Sequence, residues 1–177
     1  MVGEVRDTDT AEISIKAAQT GHLVLSTLHT NSAAESITRL AHMGIAPYNL
    51  ASSLTLVVAQ RLVRRLCPVC KQPHPRDDLS LTQLVRLYPR CDPTQIYQAN
   101  PNGCYRCDQG YQGRTGIYEV LPIDDTIANA IYRHASASEI TKIACQQGMW
   151  RLAESGIAKL NQGITSVQEL SRVIQLA

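Results

Sequence analysis

The chain contains no phenylalanine, and aromatic residues make up only 5% of it. Any core it builds must rest on leucine, isoleucine, valine and alanine. Charge of one sign is also missing: 17 basic and 15 acidic side chains leave a net charge of +2, which gives no electrostatic case for nucleic acid. No apolar run reaches the ~18 residues of a membrane-spanning helix. The opening Met1–Asp7 lacks the basic start and apolar middle of a secretory signal. A cytoplasmic protein is therefore expected, and in that compartment six cysteines argue for metal or reduced thiols before disulfides. What is present is a 44% apolar chain of 177 residues, enough for one domain or two small ones.

The cysteines are the most specific signal. Cys67 and Cys70 form one C-x-x-C pair, and Cys104 and Cys107 form another. Each pair can fold into a tight knuckle whose backbone amides face the sulfurs. Two knuckles supply the four thiolates of a closed structural zinc site. The 33 residues between the pairs exceed the usual ribbon spacing of about 15–20, which an inserted helix over 79–87 would explain. Structural zinc contributes ~10–16 kcal/mol in small fingers and could hold together a proline-rich stretch with little apolar content. The alternatives are a thioredoxin-like redox pair and plain thiols. Cys91 and Cys145 are read as thiols outside the site, although Cys91 lies between the pairs and could replace a ligand.

Toward the N-terminus, Leu23, Val24, Leu25 and Leu28 form a compact apolar run. It suits a buried strand over 22–28 with both faces covered. Met1 to Gly3 read as the end of another strand, with Glu4 and Asp7 just past it. Ligands in open α/β sheets sit beyond the carboxyl ends of strands, so Glu4, Asp7 and His29 are expected to share one crevice. His22 and His29, seven residues apart, would point to opposite faces of a regular strand.

Helix signals surround this strand. Asp7 or Thr8 can cap a helix over 8–20, and Ser32 with Glu35 opens one to about Met43. Pro47 begins a third, with Leu50, Leu54, Val57, Val58 and Leu62 on a 3.6-residue period. Residues 114–121 alternate as a strand, with Ile117 and Val120 as apolar contacts. Beyond Pro122 the pattern is helical. Starts fall at Asp124 or Asp125, at Ser136 with Glu139, near Met149, and at Ser166 with Glu169.

Four motifs then point to a family. GEVRDTDTAE at Gly3–Glu12 and GHLVLSTLHTN at Gly21–Asn31 resemble the Walker B and histidine boxes of the secretion ATPases that drive type II secretion and type IV pilus assembly. AQRLVRRLCPVC at Ala59–Cys70 and GYQGRTGIYEV at Gly110–Val120 continue the resemblance in the same order. The resemblance implies an α/β fold with three parts. Residues 1–66 would be the C-terminal part of a RecA-like P-loop NTPase domain, 67–113 a tetracysteine zinc subdomain, and 114–177 a strand plus a helical C-terminal domain.

It also implies roles. Glu4 would be catalytic and would order magnesium's water. His29 would be catalytic as well, approaching the γ-phosphate and sensing its loss. Asp7, after Arg6, would line the nucleotide crevice or only cap its helix, and His22 would serve the nucleotide or the box's structure. The basic cluster Arg61, Arg64, Arg65 and Lys71 is a solvated face or a phosphate or subunit contact, with Arg61 as the nucleotide candidate. Arg114 reads as structural. The implied cofactors are structural zinc and, in the intact protein, ATP and magnesium. The implied partners are copies in a homo-hexamer and an inner-membrane platform protein, with the motor peripheral at that membrane.

One motif is absent. No G-x-x-x-x-G-K-[ST] loop occurs, and that loop supplies the amides and lysine that cradle phosphates. In the family it precedes the Walker B box. The chain is therefore expected to be the C-terminal portion of a hexameric motor, unable to hydrolyse ATP by itself. Its residues 1–66 are expected to be poorly stable alone or to pair with another chain. The alternative is a non-catalytic zinc-binding interaction module. A zinc-ribbon nucleic-acid binder is disfavoured by charge, since aromatic–basic interleaving occurs only at Tyr105, Arg106, Tyr111 and Arg114.

Overall fold

Asp7 opens the first helix. Its Oδ1 accepts the Thr10 amide at 2.8 Å, and α1 spans Thr8–Gln19. In the computed structural model, which describes residues 1–174, the predicted caps at Ser32, Asp124, Ser136 and Ser166 are also formed. They start α2 (Ala33–His42), α5 (Asp125–Tyr132), α6 (Ala137–Gln146) and α8 (Val167–Val173). Asp78 caps α4 (Leu79–Leu87), and α7 spans Leu152–Asn161. At α2 the reciprocal arm of the capping box reaches one residue further back, with Asn31 N donating to Glu35 Oε2 at 3.0 Å.

The third helix is shorter than predicted. α3 ends at Ser53, Leu54 is extended, and Leu56–Leu66 is a strand, β1. The spacing of Leu50, Leu54, Val57, Val58 and Leu62 fits a helix only by coincidence. β-Branched Val57, Val58 and Val63 favour the pleat. Ala59 and Val63 are buried while Leu56, Val58 and Leu62 are exposed, which is the two-residue period of a strand.

β1 pairs with β4 (Tyr111–Pro122). Ile123 N bonds Thr55 O at 3.0 Å and Cys67 N bonds Gly110 O at 2.8 Å, so the two strands run in opposite directions. On β4, Ile117, Glu119 and Leu121 face inward and Val120 is exposed. Ile117 and Val120 are three apart and cannot share a strand face, so the expected apolar contact at Val120 is replaced by the carboxylate of Glu119. A second, minimal antiparallel pair joins β2 (Gln72–Pro73) to β3 (Tyr97–Gln98).

The predicted strand over 22–28 is not regular. Two hydrogen bonds, Val2 N to Leu25 O at 2.9 Å and Val5 N to Thr27 O at 3.0 Å, align this segment beside the first residues. Val24 and Leu28 are partly covered, but Leu23 is 83% and Leu25 59% exposed. One face is therefore open to solvent, where the sequence suggested two covered faces.

The chain divides into two compact units, and neither is continuous in sequence. One combines residues 1–59 with 119–149, the other 60–118 with those from 150 onward. β1 and β4 contribute residues to both. In the first unit α3 lies against α5 and α1, and α2 lies against α6. Its core includes Val5, Ala11, Ile37, Leu50, Ile127 and Ile140. The second unit gathers Val63, Leu81, Leu84, Ile117, Leu160 and Leu170. Among the described residues no helix is long and apolar enough to cross a membrane.

Candidate functional site

Glu4 and His29 are brought together by the alignment of the chain's start with residues 25–27. Thr27 reinforces that alignment by donating its hydroxyl to Gly3 O at 2.7 Å. Glu4 Oε1 then lies 2.9 Å from His29 Nε2, and Arg6 Nε donates to Glu4 Oε2 at 2.6 Å. The hydrogen bond from Arg6 holds the Glu4 carboxyl below the usual range. Partial burial opposes this, and the charges of Arg6 and His29 add to it. The His29 side chain is 88% exposed. An ionised carboxylate beside an exposed imidazole and a guanidinium can accept from metal-bound water, while the two bases can approach an anion.

The other residues singled out from the N-terminal motifs have different partners. Asp7 is engaged as the α1 cap, and the Thr10 amide is the main cause of its lowered carboxyl pKa. His22 Nδ1 lies 3.0 Å from Thr20 Oγ1, at the turn that ends α1. Arg61 belongs to the second unit, on β1, where Nη1 donates to Gln60 O at 3.0 Å. Of the remaining basic cluster, Arg64 is committed to Glu169, and Lys71 donates Nζ to Gly163 O at 2.8 Å while lying 4.3 Å from the Tyr97 ring centre. Arg65 and Arg114 are exposed.

The second site is a cluster of sulfurs. Cys67, Cys70, Cys104 and Cys107 place their Sγ atoms within 4.8 Å of one another and could hold a metal ion. The Sγ–Sγ distances are 3.8 Å for Cys67–Cys104 and 3.6 Å for both Cys70–Cys107 and Cys104–Cys107. In the second knuckle the Cys104 amide donates to Cys107 Sγ at 3.2 Å. Burial disfavours a thiolate at Cys67, yet the amides of Val69 and Cys70, with the thiols of Cys104 and Cys70, bring its pKa down to about 7. Burial and the neighbouring sulfurs push Cys70 up to about 12.

The fold of the second knuckle depends on Gly110, whose φ of +81° is left-handed. A Cβ there would lie 2.7 Å from the backbone N and O of Asn100. Cys91 takes no part in the cluster. It is buried in the second unit's apolar core, and burial raises its thiol. Cys145 lies on α6.

Sequence reasoning missed three buried polar side chains. Glu119 accepts the Ala33 amide at 2.8 Å. Glu169 receives Arg64 and Arg172. His74 lies buried, 3.6 Å from Asp78. Only Glu169 carried a signal, as the last residue of an S-x-x-E box, and that box would turn its carboxylate back to the helix start rather than toward two arginines.

The fold is one found in solved ATPases. The Legionella pneumophila ATPase DotB matches with a TM-score of 0.62 at 22% identity, covering 97% of this chain and 37% of that one. The pilus retraction motor PilT with bound ADP matches with a TM-score of 0.63 at 21% identity, covering 97% and 38%. A family model described as Type II/IV secretion system protein matches residues 1–172, and the chain belongs to that family. It is 50% identical over 173 residues to the type IV pilus assembly ATPase PilB of Acinetobacter baylyi, covering 98% of this chain and 30% of the relative. It is 48% identical over 174 residues to the type II secretion system protein E of Pseudomonas aeruginosa, covering 98% and 34%. The chain thus spans about a third of the length of these relatives.

Proposed function

We propose that this chain is the C-terminal portion of a hexameric ATPase motor that powers type IV pilus assembly or type II protein secretion. In this reading its N-terminal elements complete a RecA-like nucleotide-binding domain, and its later helices form a C-terminal helical domain. The motor would work in the cytoplasm, peripheral at the inner membrane, against a platform protein. The observation that carries the reading is the 2.9 Å contact between Glu4 and His29, in a chain that aligns over nearly its whole length with pilus and secretion ATPases.

Bound MgATP would supply the phosphoryl group and the metal-bound water. The residues of this chain would orient them. Glu4, kept ionised by Arg6, would hold the metal through that water. His29 would reach toward the terminal phosphate, and Asp7 and His22 would border the nucleotide, while Arg61, in the other unit, would be a phosphate contact across a subunit boundary. The phosphate cradle lies outside these residues, since no P-loop sequence occurs among them.

The test is hydrolysis in the full-length ATPase carrying this chain. Glu4→Gln should abolish turnover and His29→Ala should lower it about a hundredfold to a rate that is still measurable, both while nucleotide binding persists, and the 177-residue chain alone should release no phosphate. Unchanged turnover in both variants, or strong magnesium-dependent release from the chain alone, contradicts the reading. An ATPase-dead full-length protein that still binds its membrane partner through the cysteine unit would favour a zinc-binding interaction module instead.

The cysteine cluster would hold structural zinc. A Zn–S length of about 2.3 Å places tetrahedral sulfurs about 3.8 Å apart, and the closest sulfurs here are 3.6–3.8 Å apart. Metal analysis should return one zinc per chain. Purified protein with four titratable thiols at these positions and no stoichiometric metal would refute it.

A further inference from the structure

Glu119 is a carboxylate withdrawn from water, with 3% of its surface exposed. No basic side chain pairs with it among the ion pairs of the described residues. Burial of an unpaired carboxylate is costly unless fixed donors replace water. The donor here is the start of a helix: Glu119 Oε1 accepts the amide of Ala33, the first residue of α2, at 2.8 Å. That amide has no partner within its helix, and the helix dipole favours a negative charge at this end.

Ala33 is four residues past His29, and the residues between are tied to the same helical turn. Thr30 Oγ1 lies 2.7 Å from Ser36 Oγ. Asn31 N donates to Glu35 Oε2 at 3.0 Å, and Ser32 Oγ accepts Glu35 N at 3.2 Å. The loop that carries His29 is thus fastened to the first turn of α2, and Glu119 fastens that turn to β4 across 86 residues of sequence.

We infer that Glu119 is a positioning residue for His29. It anchors the α2 N-terminus and thereby holds the imidazole against Glu4. The inference rests on the nucleotide reading of Glu4 and His29. An apolar side chain at 119 would fill the space but leave the Ala33 amide unpaired. Glutamine keeps both the size and an accepting oxygen, so it separates anchoring from packing.

Two measurements test this together. In the 177-residue chain, hydrogen exchange of the Asn31 and Ala33 amides should rise about tenfold or more in Glu119→Ala and stay near wild type in Glu119→Gln. In the full-length ATPase, Glu119→Ala should lower kcat about tenfold with KM for ATP within about twofold, because misplacement of a reacting group acts on the chemical step. Glu119→Gln should restore most of it, and Glu119→Ala should add nothing in a His29→Ala background. Unchanged exchange in Glu119→Ala, failure of Glu119→Gln to restore the rate, or full additivity with His29→Ala overturns the inference. Wild-type turnover of His29→Ala alone instead overturns the nucleotide reading, and the exchange data then still decide whether Glu119 holds the loop.

Discussion

Arg64 and Glu169, 105 residues apart in sequence, are joined by three contacts. The Arg64 amide reaches Glu169 Oε1 at 3.0 Å, and its Nε and Nη2 each reach Oε2 at 2.8 Å. Arg172 completes the arrangement from the other side, with Nη2 on Oε1 at 2.7 Å. Arg64 also stacks 4.0 Å from the Tyr111 ring centre, and the Tyr111 hydroxyl lies 2.7 Å from Ser166 Oγ. One carboxylate thus gathers β1, β4 and α8 in the second unit.

This gives a prediction about acid. Burial alone would raise the Glu169 pKa, but the bonds from Arg172 and from the Arg64 amide and guanidinium outweigh it and bring the pKa from 4.5 to about 2. The folded value is the depressed one, so the contribution is complete above about pH 4.5 and fades as pH falls toward 2. The difference corresponds to about 3 kcal/mol. Thermal melts between pH 6 and 2 should show this loss in the wild type. Glu169→Gln should be less stable at pH 6 and should show a shallower acid slope than the wild type. Equal slopes in the two proteins would contradict the assignment.

Metal removal is expected to act on the cysteine unit. Chelation, or Cys70→Ser or Cys107→Ser, should abolish the near-ultraviolet signal of Tyr97 and Tyr111, because apparent metal-binding energies of about 10 kcal/mol exceed the stability of a small unit. Cys145→Ser, on α6 of the first unit, should leave that signal intact. A signal insensitive to chelation would show that the knuckles fold without metal.

Gly110 offers a backbone test of the same site. Gly110→Ala places a methyl group against the Asn100 backbone and forces a left-handed residue to carry a Cβ. A loss of about 2–3 kcal/mol is expected, along with faster release of metal to a chromogenic chelator. Wild-type metal retention in Gly110→Ala would mean that the turn relaxes without disturbing the cysteines.

Exposed and buried leucines should separate sharply. Leu50 is fully buried in the first unit, and Leu50→Ala is expected to cost about 2–5 kcal/mol in a denaturant melt. Leu25→Lys, on the open face beside the chain's start, should change stability by no more than about 0.5 kcal/mol. It should also reduce self-association measured by light scattering, because it breaks an apolar surface. A large loss of stability in Leu25→Lys would mean that this face is covered in solution.

Local chemistry was legible where the signal lay within a few residues. Asp7, Ser32, Asp124, Ser136 and Ser166 announce helices because each must satisfy amides three positions ahead. The helix over 79–87 and the four cysteines were readable for the same reason. β1 was not, because its partner β4 lies some fifty residues away, and a run of leucine and valine has no period that excludes a helix. Glu119 and Val120 show the limit most clearly. Hydropathy puts the valine inside and the glutamate outside, and the start of α2, far off in sequence, reverses the choice.

The interleaving of the two units has a consequence for synthesis. Residues 1–59 await residues 119–149 to finish their core, and the 59 residues between belong elsewhere. At translation rates of about 5–20 residues per second, that delay lasts about 3–12 s. During it the four cysteines leave the ribosome while both cores are still incomplete. Metal capture would then close the long loop from Cys67 to Cys107 at a modest entropic cost and bring the start of β4 to the end of β1 before the last helices exist. The supply of metal during translation would then influence how much nascent chain reaches the native pairing.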